Sequence, residues 1–88
     1  MATQSNQETL DEVERQFWRI FRRVLGDQHL EPGAYATADL KGWDSLRHIE
    51  LMFELEEAFE VSIQPEDING LYSDTGTLIE FLRRQGSR

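Results

Sequence analysis

The sequence predicts an all-α domain: a small four-helix bundle of three longer helices and one short one, with a long loop between the first and second. Three observations predict it. Apolar residues recur at the helical period over 8–25 and 45–59, and no segment alternates strictly as a half-buried strand would. Start and stop residues punctuate the chain at helical intervals: Gly26, Asp44, Pro65 and the Ser73-Asp74 pair. The stretch 26–43 holds Pro32, Gly33 and Gly42 and shows no period, which marks it as a loop.

The 88 residues make one domain with one thin core, since a chain this short buries only roughly 60–65% of its unfolded surface. We expect a polar tail over 1–7, the folded domain over 8–85 and a frayed end over 86–88. Without cysteine there is no disulfide framework, thiolate nucleophile or cysteine metal site. No apolar run reaches the roughly 20 residues of a membrane span, so no membrane partner is expected. The first residues lack the basic and apolar segments of a secretion signal, and we expect a cytoplasmic, discrete, monomeric protein. A net charge of −8 argues against nucleic acid, whose phosphates are met by Lys and Arg. The excess sits in one half. Residues 44–80 hold ten acidic side chains and one basic one, Arg47, for a net −9. Such a run is commonly just a solvated surface; its functional reading is a face that steers basic partner proteins.

Helix one is expected over 8–25. Leu10, Val13, Phe17, Ile20, Phe21 and Val24 share one arc, with Trp18 and Leu25 at its edge. Asp11 and Arg15, four apart, form a favourable pair. Gly26 is the stop. In the long loop, Leu30, Tyr35 and Leu40 are spaced to dip into the core and keep it ordered. Trp43 either packs over the loop-to-helix corner, the commoner role of an aromatic in a small core, or lies exposed as partner surface.

Helix two is expected over 45–59. At about 100° per residue, Ala58, Leu51, Leu55, Phe59, Met52 and Ile49 form the core arc, centred near Leu55. His48 points into that arc, as a satisfied histidine. Leu46 and Phe53 fall outside it, flanked by Glu50 and Glu57. Two large apolar side chains among carboxylates have the composition of a docking strip, or else merely widen the core contact. Val61 and Ile63 lie on an extended link. Helix three is a short piece over 66–69, with Pro65 at its first turn and Asn69-Gly70 closing it. Helix four runs over 74–84 behind Ser73 or Asp74, with Leu78, Ile79 and Leu82 inward and Phe81 near the edge. Thr75 and Gly76 are poor helix formers at its start.

The joint Gly42-Trp43-Asp44-Ser45-Leu46 sets a serine hydroxyl beside a carboxylate at a helix N-terminus, where unpaired N–H groups and the dipole favour a phosphate-type anion. Asp and Ser are also ordinary N-caps. Asp44-Ser45-Leu46 followed by Glu50-Leu51 and Leu55-Glu56-Glu57-Ala58-Phe59, near the middle of a short acidic helical chain, resembles the acyl carrier protein family, peptidyl and other thioester carriers included. The likeness is strong over 40–59, looser over 61–82, and weakest at Thr75, where carriers usually have a small or β-branched apolar residue. It implies an acyl-carrier-like bundle with 4′-phosphopantetheine attached to Ser45, Asp44 recognised by the phosphopantetheinyl transferase, and Leu46 as a hydrophobic docking residue. It also implies acyl-loading and acyl-processing enzymes with basic docking patches as partners; we place their contacts on Leu46, Glu50, Phe53, Glu54 and Glu57. The wording Trp-Asp-Ser-Leu with a following histidine looks more like carriers of specialised-metabolite pathways, such as polyketide biosynthesis, than like the housekeeping fatty-acid carrier.

Catalysis by the chain itself is not expected. A nucleophilic serine needs a base within reach; there is no Gly-rich phosphate loop and no zinc spacing. The competing reading is a helical regulatory or scaffold module of the same fold without the arm.

Overall fold

Asp11 starts the bundle. In the computed structural model, which describes residues 11–86, its backbone is extended and its carboxylate accepts the Glu14 N–H at 3.0 Å. That makes it the N-cap of α1 (Glu12–Leu25), so the helix begins four residues later than the periodicity alone suggested. Leu10 and the 1–7 tail lie outside the described residues. The expected Asp11–Arg15 pair does not form. Asp11 is engaged by its cap and by Arg83 near the C-terminal end, whose other nitrogen is 3.2 Å from Glu14, while Arg15 pairs with Glu12 at 2.9 Å. The Glu14 N–H first, and Arg83 second, hold the Asp11 carboxyl below its ordinary value of 3.8. That stabilisation is present above 3.8 and is lost as pH falls through the lowered value.

The buried face of α1 is Phe17, Trp18, Ile20, Phe21 and Leu25, with Val13 and Val24 only half-buried. The face is turned toward Trp18 and Leu25 because the long loop packs on that side. Tyr35 meets Trp18 edge-on at 6.0 Å, and a Cβ on Gly42 would sit 3.1 Å from the Leu25 carbonyl. A side chain there would push the loop and α1 apart by a few tenths of an ångström. Gly26 ends the helix in the left-handed conformation, with φ of 73°.

The loop is ordered, as Leu30, Tyr35 and Leu40, packed against the core, predict. A 3-10 turn spans Thr37–Asp39. The main fastener is Thr75, fully buried at the start of α4 (Thr75–Gly86). Its hydroxyl donates to the Gly33 carbonyl at 3.0 Å and accepts the Tyr35 N–H at 3.1 Å; its own N–H donates to the Tyr35 carbonyl at 2.9 Å. Ala36 and Asp74 form an isolated antiparallel bridge beside it. Thr75→Val keeps the shape and removes the hydroxyl, leaving the partly buried Tyr35 N–H and Gly33 carbonyl without this partner. The expected cost is about 2–4 kcal/mol, read by denaturant titration, with Thr75→Ser much milder. A loss in Thr75→Val no larger than that in Thr75→Ser would mean that the hydroxyl is not the fastener.

The second helix, α2 (Ser45–Phe59), packs against α1. Leu51, Met52, Leu55 and His48 are buried, and Phe59 half-buried. Ile49 and Ala58, placed in the core arc by the wheel, are exposed. Both sit at the margins of that arc, and α2 buries only its middle. Ile63 is buried on the following link and Val61 half-buried. The short helix α3 (Pro65–Leu71) is longer than expected. It continues through Asn69 and Gly70 because Leu71 buries in its last turn, and the Tyr72 N–H closes it on the Asn69 carbonyl. Asp74 caps α4 through the Thr77 N–H at 2.7 Å, and α4 runs to Gly86, two residues past the expected end at 84 and one into the stretch expected to fray. Residues 87–88 lie outside the described residues. Leu78 and Leu82 are buried, with Ile79 and Phe81 packed against them. Among the described residues there are four α-helices, no strand, and no helix long and apolar enough to cross a membrane.

Candidate functional site

Trp43 fixes the corner. Its ring is 2% exposed, packs edge-on against Phe21 of α1 at 5.1 Å, and contacts Tyr72 at 6.1 Å. Its backbone N–H donates to the Leu40 carbonyl and its own carbonyl accepts the Tyr72 hydroxyl at 3.2 Å. Packing, not partner surface, is therefore the role of this tryptophan. The next residue, Asp44, is the N-cap of α2: its Oδ1 accepts the Arg47 N–H at 2.9 Å, and its carbonyl accepts the His48 N–H at 2.8 Å. Ser45 is then the first helical residue and is exposed. Its hydroxyl makes no hydrogen bond to a described residue.

This arrangement leaves the N–H groups of Ser45 and Leu46 as the unused donors of the first turn. Arg47 lies at the same end, with one guanidinium nitrogen on the Gly42 carbonyl at 3.3 Å. The lone basic side chain of the acidic half is thus beside the serine. An oxyanion joined to the Ser45 oxygen would lie at free N–H groups and the positive helix end, with Arg47 two residues on and the Asp44 carboxylate opposing.

His48 cannot serve Ser45 as a base where it stands. It is 2% exposed, with Trp43 on Nδ1 at 3.1 Å and the Ile68 carbonyl on Nε2 at 2.9 Å. No group of three His, Asp or Glu side chains among the described residues could hold a metal ion.

Below the corner, α2 presents Leu46 at 68% exposure and Phe53 at 63%, with exposed Glu50 and Glu57 beside them. Ile49 joins the strip at 43%, so the apolar stripe is three residues long, spaced as one helix face. The carboxylates are not equivalent. Glu54 is paired with Arg23 of α1 at 2.7 Å, and Glu56 accepts the Ile63 N–H at 2.7 Å. Glu50 and Glu57 make no ion pair with a described residue. An open groove of about 340 Å³, lined by Arg23, Val24, Glu50, Phe53 and Glu54, extends the strip onto α1.

Sequence reasoning missed Ile49 and the commitment of Glu54 and Glu56. A wheel places residues by angle and cannot say where the neighbouring helix stops covering them. Comparison with family models, with curated proteins and with solved structures gives no match to this chain.

Proposed function

We propose that the protein is an acyl carrier that bears 4′-phosphopantetheine on Ser45 and presents thioester-bound acyl groups to partner enzymes, in polyketide, fatty-acid or other specialised-metabolite biosynthesis. The observation that carries this reading is the exposed Ser45 at the first turn of α2, capped by Asp44 and followed by exposed Leu46. In this reading the chain supplies position and recognition. A transferase activates the hydroxyl, and the pantetheine thiol carries the acyl group. Asp44 leaves its carboxylate at the surface for that transferase while holding the helix start in place. Leu46, Ile49 and Phe53 offer apolar contact, and Glu50 and Glu57 offer charge that no described residue has paired.

The test is a mass spectrum of the intact protein after incubation with coenzyme A and a broad-specificity phosphopantetheinyl transferase. The gain of one phosphopantetheinyl group, mapped to Ser45, supports the carrier. No gain leaves the module without an arm as the better account.

The charge distribution makes a second prediction. The net −9 over 44–80 should speed association with a transferase or processing enzyme through long-range attraction. Raising ionic strength from about 0.01 M to 0.15 M shortens the screening length from roughly 30 to 8 Å, so association rates should fall while dissociation rates hold. Stopped-flow rates that stay flat across that range would remove steering from the mechanism.

A further inference from the structure

We propose that His48 is a positioning residue for Ser45: in its neutral form, protonated at Nε2, it holds the Trp43 indole and with it the peptide that delivers Asp44 and Ser45 to the start of α2. The effect on loading rests on the carrier reading; the hold on Trp43 does not.

The tautomer follows from the partners. The Trp43 Nε1–H is a donor only, so His48 Nδ1, 3.1 Å away, must accept. The Ile68 carbonyl is an acceptor only, so His48 Nε2, 2.9 Å away, must carry the proton. Ile68 is near the end of α3, where the Tyr72 N–H that would close on it bonds Asn69 instead. His48 thus satisfies one carbonyl of the α3 terminus and one indole N–H of the corner. A single buried ring ties the loop, α2 and α3 together, five residues from Trp43 and three from Ser45.

A protonated ring cannot make both bonds. Its Nδ1–H would face the Trp43 Nε1–H, donor against donor, and that bond would be lost. The bond to Ile68 would survive, so α3 stays attached and the corner is what is released. Among the described residues no carboxylate is bonded to the ring to compensate the charge. Tyr72 is the titratable group facing it, with rings 4.8 Å apart, and its hydroxyl is spent on the Trp43 carbonyl. On α2, the Asp44 carboxylate is turned to the Arg47 N–H. On α3, neither Glu66 nor Asp67 bonds the ring, and from α1 it is Phe21 that backs Trp43. Burial accordingly pushes His48 below the ordinary value of 6.5, the Ile68 carbonyl working the other way. The closed corner is fully favoured above 6.5 and is lost as pH falls through the lowered value.

The experiment is a pH titration of the full-length ¹⁵N-labelled protein by NMR, with Trp18→Phe and His29→Gln used to assign Trp43 and His48. At neutral pH the His48 proton should be on Nε2 and the Trp43 indole N–H protected from exchange. On acidification both signals should change with one midpoint, below 6.5, while helicity is retained. His48→Gln offers a neutral acceptor and donor at every pH, so its Trp43 signal should not titrate. Loading rates of wild type divided by those of His48→Gln, with the same transferase, should fall several-fold through the same midpoint.

A proton on Nδ1 at neutral pH overturns the proposal. So does a Trp43 signal that ignores the His48 titration, or the same pH course in His48→Gln. If that variant does not fold, the wild-type titration decides alone. If wild type loads at no pH, the carrier reading fails and the NMR result still stands or falls on its own.

Discussion

Ser45→Ala should yield no loaded protein under conditions that load wild type completely, yet should melt within about 5 °C of it. The two halves of this result have separate causes. Loading needs the hydroxyl oxygen, and no other serine or threonine of the described chain stands at the first turn of α2. Stability does not need it, because the cap of α2 is Asp44 and its bond goes to the Arg47 N–H. Ser45 is the first residue inside the helix, where alanine is the best helix former. Asp44→Ala is the informative contrast. It removes the cap and should cost about 1 kcal/mol, with the serine hydroxyl intact. Mass spectra and thermal melts of both variants check this. Loading of Ser45→Ala would place the attachment elsewhere, and its unfolding would make the serine a structural residue.

The second large effect separates core from surface on one helix. Leu55 is 1% exposed, at the middle of the face that α2 packs inward, so Leu55→Ala should destabilise by about 2–5 kcal/mol. For a domain of this size that is a large share of the total. Phe53, two residues earlier, is 63% exposed. Phe53→Ala should cost under about 1 kcal/mol in stability, as surface truncations do, and should weaken partner binding by about 1–2 kcal/mol or more, as loss of an aromatic anchor does. Denaturant titrations together with transferase kinetics make the comparison. Equal destabilisation by the two variants would mean that Phe53 folds back onto the core in solution, and would take the aromatic anchor out of the docking strip.

Local chemistry was readable from the residues in order. Asp44 as a cap, Pro65 in a first turn, Gly26 as a left-handed stop and Asp74 before α4 each act on backbone groups within four positions, so their neighbours in sequence are their partners in space. The same holds for the span of α2 and for Leu55 at the centre of its inner face, because a strong period averages over a whole helix. The presentation of Ser45 at a helix start was legible for that reason too.

What needed the tertiary structure are pairings across tens of residues and the edges of faces. Thr75 reads as a weak helix former, yet its hydroxyl fastens a loop forty residues away. Glu54 reads as a docking carboxylate and is held by Arg23. Ile49 reads as core and is exposed, since only the packed position of α1 decides how wide an arc of α2 is covered. His48 reads as a core histidine, and that much is right. Its two partners, one five residues back and one twenty residues on, come together only when loop, α2 and α3 have closed on one another. Hydrogen bonds and ion pairs depend on distances of a few tenths of an ångström, and no pattern of residue types along a chain specifies those.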